Sequence, residues 1–236
     1  MTRLVNKYGL PIAIVGLLLS TILESYQPFD QLFQSYFYSS DWLITKQLHK
    51  SIRLISYNAP KIFLGIIAGL ALISALILRL KSRQLCAYAH WSKPLLLIAI
   101  CIALIPLSQA GLKAVTGIYS PVDLLPYGGK HPHIGLLEQL WKYGAVAEGR
   151  SFPAGHASGG FALMALYFLP LKANLRLAGL GLGLLAGWSM GLYQIARGEH
   201  FLSHTLFTMF AAWLIILLLA KLLKINPNNP SLTALP

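Results

Sequence analysis

The chain has 236 residues, of which 56 % belong to the hydrophobic set and 11 % are charged, whereas soluble domains carry about 25 % charged residues. This composition excludes an ordinary water-soluble protein, and the long apolar blocks exclude a disordered chain. The formal net charge of +12 does not indicate a nucleic-acid partner, because the basic residues flank the apolar blocks and form no patch with interleaved aromatic residues.

Six apolar runs approach the length of about 20 residues that a helix needs to cross a bilayer. In chain order they cover residues 8–23, 60–78, 94–112, 156–171, 177–196 and 201–223. No small-x-small cleavage site follows Leu23, so the first run is predicted to be an uncleaved helix and not a secretory signal. The sequence therefore predicts an all-α, polytopic membrane protein with six transmembrane helices. Residues 1–224 are expected to form one domain and residues 225–236 a disordered tail.

Between the first two runs, apolar residues recur with the spacing of an amphipathic helix that lies in the membrane interface. They are Phe29, Leu32, Phe33, Tyr36, Phe37, Ile44, Leu48, Ile52 and Ile55. Such an outward-facing interfacial helix either caps the bundle or lines an entrance for lipid.

The charges of the connecting segments predict the orientation. The termini and the second and fourth connections hold ten Lys or Arg residues and no acid, whereas the other connections hold nine Lys or Arg residues and all seven acids. Cytoplasmic segments of membrane proteins carry the excess of Lys and Arg. We therefore expect cytoplasmic termini, with the first, third and fifth connections facing outward.

The fifth run carries glycine at every fourth position. The four residues are Gly179, Gly183, Gly187 and Gly191. A stripe of small residues lets a neighbouring helix approach closely in a membrane, so this stripe is predicted to have a packing role.

Polar residues end four of the runs on the outward side. Lys113 closes the third run, Pro153 to His156 open the fourth, Gln194 and Arg197 close the fifth, and His200 with His204 opens the sixth. Ionisable residues at such positions are costly and mark functional sites. The connection 113–153, which separates the first two of these groups, is too long for a plain turn between helices.

These residue types suit phosphoryl transfer. Proline belongs in the first turn of a helix, and Gly155 lets a ligand approach the free N–H groups that bind phosphate at such a helix start. Lys113 and Arg197 add positive charge without a metal ion. Two histidines from different helices supply a nucleophile and a proton donor near neutral pH.

Three segments resemble the three motifs of the type 2 phosphatidic acid phosphatase superfamily of integral-membrane lipid phosphatases. They are Lys113 with Ser120-Pro121, Pro153-Ala154-Gly155-His156, and the stretch from Gln194 to His204. The resemblance implies that His200 is the nucleophile that becomes phosphorylated and that His156 is the general acid. It also implies that Lys113 and the Gly155 backbone hold phosphate oxygens, and that no metal or other cofactor is needed.

Three positions depart from the motifs of that superfamily. Ser120 and Gln194 stand where the motifs have arginine, and His204 stands where they have aspartate. Arg197 and Arg150 are the candidates to restore the lost guanidinium groups, and Asp123 is the candidate to orient His204 or His200. Since one preorganised donor is worth about 3 kcal/mol of transition-state stabilisation, loss of both arginines without compensation would cripple catalysis.

The function expected from these motifs is hydrolysis of an anionic lipid, either a polyprenyl pyrophosphate, a phosphatidic or phosphatidylglycerol phosphate, or a lipid A phosphate. The expected location is a bacterial inner membrane, with the site facing the periplasm. Alternatives are a lipid-to-lipid phosphotransferase, and a non-catalytic lipid-phosphate binder or transporter with degenerate motifs. A membrane metallohydrolase that uses His200 and His204 with His131 and His133 is a further alternative, although the last two are expected on the loop surface. The oligomeric state is left open.

Overall fold

The computed structural model describes residues 2–38, 46–143 and 148–226, and these residues form helices and loops without a β-strand. Residue Ile44 of the predicted interfacial helix and residues 227–236 of the predicted tail lie outside the described residues. The helices, in chain order, are α1 (Thr2–Ser25), α2 (Pro28–Ser35), α3 (Lys46–Arg53), α4 (Ala59–Leu80), α5 (Ser92–Thr116), α6 (Leu136–Glu138), α7 (Gly155–Ala162), α8 (Ala173–Ala196) and α9 (Leu202–Leu222).

Within the described residues, five helical segments are long and apolar enough to cross a membrane. They contain α1, α4, α5, α8 and α9. Each contains one of the predicted runs almost completely, because an uninterrupted apolar stretch of this length can satisfy its backbone in lipid only as a helix. The five apolar helices are those of a multi-pass membrane protein.

The fourth predicted run is shorter than expected. Its α-helical part ends at Ala162, and a 3-10 helix continues over Leu163–Phe168, so the whole segment spans about 24 Å against a hydrocarbon core of about 30 Å. The chain nevertheless passes from one end of the bundle to the other. Gly155 lies beside Lys113 near the end of α5, whereas the Tyr167 hydroxyl donates a hydrogen bond to Asn6 Oδ1 near the start of α1, at 2.8 Å.

Three glycines of the α8 stripe, Gly179, Gly183 and Gly187, contact this short segment, whereas Gly191 contacts Thr205 of α9. A Cβ atom at Gly183 would lie 2.3 Å from the backbone nitrogen of Met164, and one at Gly187 would lie 2.1 Å from the ring of Phe161. On the opposite side of the contact, a Cβ at Gly160 would lie 2.5 Å from the Gly187 nitrogen. The backbones of α8 and of the short segment therefore touch at Gly187 and Gly160.

The segment predicted as one long amphipathic helix contains two short helices, α2 and α3. The buried residues of α2 are Asp30 and Gln34, whereas Phe29, Leu32 and Tyr36 are exposed. Asp30 accepts hydrogen bonds from the backbone N–H and the hydroxyl of Ser203, and Gln34 Nε2 donates to the Ile195 carbonyl at 3.0 Å. The helix thus packs on α8 and α9 through its polar face and leaves Phe29, Leu32 and Tyr36 on its exposed side.

Candidate active site

Three helix ends meet around the residues that the motifs single out. Lys113 comes from the last turn of α5, Gly155 and His156 from the first turn of α7, and His200 from the connection between α8 and α9. The Lys113 side chain lies against Gly155, where a Cβ atom would be 3.6 Å from Nζ and 3.2 Å from Cε. The ring centroids of His156 and His200 are 6.1 Å apart, so one phosphoryl group can contact both imidazoles.

A cavity of about 550 Å³ adjoins Lys113, Gly155 and His156, between α4, α5, α7 and α8, whereas His200 is buried and is not among the lining residues. Lys113, Gly155 and His156 belong to its lining, and along α5 the lining continues inward as far as Ile102. That distance is about 16 Å at the rise of an α-helix. Most of the remaining lining is apolar, for example Leu64 and Ala68 of α4. The cavity therefore joins a cationic end to an apolar channel that runs along the helices.

His200 and His204 share a contact with Ser151, a residue that sequence reasoning missed. The Ser151 hydroxyl lies 3.2 Å from His200 Nδ1 and 3.2 Å from His204 Nδ1. It also donates to the Glu199 carbonyl at 2.6 Å. Ser151 stands two residues before Pro153 and belongs to no motif. One signal in the sequence could have revealed Ser151. His204 stands where the superfamily motif has aspartate, so His200 lacks that carboxylate acceptor and another residue must accept its hydrogen bond.

Burial and positive neighbours govern the protonation of His200, which lies outside the membrane-spanning helices. Burial, then the charges of Lys113, His204 and His156, lower the pKa of His200 well below its usual 6.5, although a hydrogen bond with the Ser151 backbone raises it. Among the described residues, His200 Nε2 is buried without a hydrogen-bond partner. At neutral pH this imidazole is therefore neutral.

Arg197 is held by two side chains of its own segment. One terminal nitrogen donates to Gln194 Oε1 at 2.7 Å and the other to Glu199 Oε1 at 3.0 Å. Gln194 is buried, and the Glu199 carboxylate also attracts the Lys113 ammonium. The guanidinium thus lies beside the cluster formed by Lys113, His156, His200 and His204. Two of its nitrogens already donate hydrogen bonds within its own segment.

The other two candidates for compensation are not brought into the cluster. Arg150 is exposed and does not line the cavity in the part of the chain that the structure describes. Asp123 accepts hydrogen bonds from the N–H groups of Lys130 and His131 through its backbone carbonyl. Among the described side chains, no hydrogen bond or ion pair joins its carboxylate to His200 or His204.

Ser120 begins the turn that leads to Asp123. Its carbonyl accepts the Asp123 N–H at 2.9 Å, and the neighbouring Val122 N–H donates to Gly198 at 3.0 Å. The turn is therefore tied to the connection between α8 and α9, but it supplies no cation.

The loop histidines are partly exposed, and each ring lies on a neighbouring aromatic residue. His131 stacks on Tyr119 with ring centroids 3.8 Å apart, and His133 stacks on Phe201 at 4.9 Å. Burial lowers the pKa of His133 to about 4. Within the described residues, no three His, Cys, Asp or Glu side chains are grouped as ligands of one metal ion.

The arrangement of a lysine, a helix start and imidazoles from separate helices can bind a tetrahedral anion. Comparison with known protein families assigns the chain to a superfamily. The model of the PAP2 superfamily matches residues 94–227, more than half of the chain, and the protein belongs to this superfamily. Members are generally phosphatases, which supports a phosphoric ester hydrolase at that coarse level. No curated protein and no solved structure matches the chain.

Proposed function

We propose that the protein is an integral-membrane phosphatase that hydrolyses a lipid phosphate or pyrophosphate through a phosphohistidine intermediate. The observation that carries this proposal is the cavity, in which Lys113 and His156 lie at one end of a lining that is otherwise mostly apolar. A phosphorylated lipid has the same distribution of polarity, with an anionic head group joined to hydrocarbon. The net-positive outward connections also favour an anionic lipid over a soluble sugar phosphate.

The proposed reaction has two steps. The Nε2 lone pair of His200 attacks phosphorus, the bond from phosphorus to the leaving oxygen breaks, and His156 gives that oxygen its proton. His156 then removes a proton from water, whose oxygen attacks the phosphohistidine and releases inorganic phosphate and neutral His200. A phosphotransferase would use a lipid hydroxyl in place of water in the second step.

Positive charge for the phosphoryl oxygens is available from the protein. Lys113 and the N–H groups at the start of α7, including Gly155, lie on one side of the cavity, and Arg197 lies next to the cluster. Such preorganised donors stabilise a developing oxyanion. We therefore propose that hydrolysis proceeds without a metal ion.

The membrane arrangement is part of the proposal. Residues 155–168 provide a sixth crossing that is surrounded by protein, the termini are cytoplasmic, and the site faces the periplasm of a bacterial inner membrane. Residues 1–224 form the single membrane domain. The substrate is one of the polyprenyl, phosphatidic, phosphatidylglycerol or lipid A phosphates.

One observation favours a second candidate, a lipid-phosphate binder or transporter without turnover. Two nitrogens of Arg197 are already bound to Gln194 and Glu199, and no arginine belongs to the cavity lining within the described residues. A site that lacks both guanidinium donors can still bind an anion through Lys113 while stabilising the transition state poorly.

A panel of lipid phosphates in detergent tests the proposal, with phosphate release measured by malachite green in the presence of a chelator. We expect release by the wild type, background release by His200→Ala, and a kcat lowered about 10²- to 10⁴-fold by His156→Ala. His90→Ala is the matched control, because His90 lies in the 3-10 helix before α5, at the opposite end of the bundle. Turnover by His200→Ala at the wild-type rate would contradict the proposed chemistry. Vanadate binding without turnover of any lipid would favour the second candidate.

A further inference from the structure

We propose that Ser151 is the positioning residue of this site: its hydroxyl fixes the proton of His200 on Nδ1 and so does the work of a carboxylate that the chain lacks. The catalytic consequence of this inference rests on the proposed function. The assignment of the proton itself rests on geometry alone.

Ser151 is placed rigidly at the junction of three segments. It is 1 % exposed, and its N–H donates to the Ile118 carbonyl just beyond α5, at 2.8 Å. The adjacent Phe152 carbonyl accepts the hydroxyl hydrogen of Thr116 at 2.6 Å. The Ser151 side chain therefore has little freedom to turn away from the connection between α8 and α9.

Counting hydrogens settles which atoms donate. A hydroxyl has one hydrogen and two lone pairs, and a backbone carbonyl can only accept. The Ser151 hydrogen therefore lies on the 2.6 Å contact with Glu199. The two 3.2 Å contacts are then hydrogen bonds only if His200 and His204 each donate from Nδ1.

This arrangement leaves a free lone pair on the nitrogen that the proposed nucleophilic attack uses. A neutral imidazole with its proton on Nδ1 has a lone pair on Nε2, and His200 Nε2 is a buried atom without a hydrogen-bond partner in the described structure. When Nε2 forms its bond to phosphorus, positive charge spreads over the ring while the proton stays on Nδ1, held by Ser151. Ser151 gains and loses no proton in this step.

His204 keeps the hydroxyl in this orientation. Its Nδ1–H occupies the second lone pair of Ser151, and the rings of Phe152 and Phe201 pack edge-on against it with centroids at 5.1 and 5.5 Å. His204 therefore supports the Ser151 hydroxyl, which is a neutral acceptor for His200. An aspartate at position 204 would itself be the acceptor.

Removal and restoration of the hydroxyl test the catalytic part. We expect Ser151→Ala to lower kcat about 10- to 100-fold with little change in KM, and Ser151→Thr to recover most of the loss. Ser20→Ala is the matched control, because Ser20 is also 1 % exposed and donates to a backbone carbonyl, that of Leu17 at 3.0 Å. A kcat for Ser151→Ala equal to that of the wild type would overturn the role.

A carboxylate at position 204 provides a rescue that a merely structural serine would not show. In the Ser151→Ala background, His204→Asp introduces an acceptor in place of the lost hydroxyl, so kcat is expected to rise above that of Ser151→Ala alone. Failure to rise, in a double variant that elutes as the wild type does in size-exclusion chromatography, would contradict the inference.

The proton itself is observed by NMR of the detergent-solubilised protein labelled with ¹⁵N-histidine, at a pH where the imidazoles are neutral. We expect His200 and His204, assigned by comparison with His200→Gln and His204→Gln, to show protonated Nδ1 and unprotonated Nε2. A proton on Nε2 of His200 would overturn the inference whether or not Ser151→Ala folds. Absence of phosphatase activity with Nδ1 protonated would instead contradict the proposed function alone.

Discussion

Lys113 combines a partly buried position with a charge close to His156 and His200. It lies against Gly155 and His156 in the cavity, and its charge acts on both His200 and His204. In the proposed reaction its ammonium binds a phosphoryl oxygen, and at rest its charge adds to the effect of burial in lowering the pKa of His200. The same residue therefore controls both the substrate and the nucleophile.

Replacement of Lys113 by methionine keeps the length of the side chain and removes its charge. We expect kcat/KM for a lipid phosphate to fall about 10²- to 10³-fold, as for loss of a preorganised oxyanion donor. Lys142→Met is the control, because Lys142 is exposed and pairs with Glu138 at 2.6 Å, and an exposed pair contributes about 0–1 kcal/mol. Equal activities of the two variants would show that Lys113 has no role in the proposed reaction.

The pH dependence follows from the direction of the His200 shift. Only the neutral imidazole attacks, so kcat/KM falls as pH falls through the pKa of His200, which lies well below 6.5 because of burial and the charges of Lys113, His204 and His156. We expect the acidic limb of the kcat/KM profile below pH 6.5. In Lys113→Met one repulsion is removed, so the pKa of His200 rises and the limb moves to higher pH. A limb that moves to lower pH would contradict this electrostatic account.

At the scale of the helices, the contact between α8 and the segment 155–168 is made by backbone. Interiors are packed so tightly that an added methyl group forces a shift of the neighbouring chain. The stripe is therefore sensitive to substitution on one side of α8 only, since a Cβ at Gly181 would meet no atom within 4 Å in the described structure.

Gly183→Ala and Gly181→Ala form a matched pair on this helix. Gly183→Ala places a methyl group against the Met164 backbone and is expected to destabilise the protein by about 1–3 kcal/mol, measured as a lower Tm in detergent. Gly181→Ala gains helix propensity of about 1 kcal/mol and is expected to keep or raise the Tm. Equal Tm values for the two variants would contradict the close contact.

Periodicity predicted these long helices well and the shorter elements poorly. A run such as α9 is fixed by its own composition, because lipid leaves it no other way to satisfy its backbone. The segment 155–168 is decided by the partner that surrounds it, and α2 by the two polar residues that it buries against α8 and α9. The three-segment contact of Ser151 joins residues about 50 positions apart, and no local pattern records it.

At the scale of the whole molecule, the cavity connects Lys113 and His156 with apolar residues of α4 such as Leu64 and Ala68. Gly65 belongs to its lining and Gly69 does not, and a Cβ at either position meets no atom within 4 Å in the described structure. A larger side chain at Gly65 therefore fills the cavity without disturbing the packing of the helix.

Gly65→Leu separates binding of the lipid chain from the chemistry. We expect KM for a long-chain lipid phosphate to rise about tenfold, equivalent to about 1.4 kcal/mol of lost apolar contact, while hydrolysis of p-nitrophenyl phosphate is unchanged. Gly69→Leu serves as the control. If both substrates were affected equally, the cavity would not be the site of the hydrocarbon chain.

The polar face of α2 has a consequence for assembly. Asp30 and Gln34 are made early in synthesis, but their partners Ser203 and Ile195 emerge from the ribosome more than 150 residues later. Until then a carboxylate and an amide must remain hydrated near the bilayer surface, since their burial without partners is costly. Docking of α2 therefore follows insertion of the last two helices, and a nascent chain that stops before α9 leaves Asp30 without its Ser203 partner.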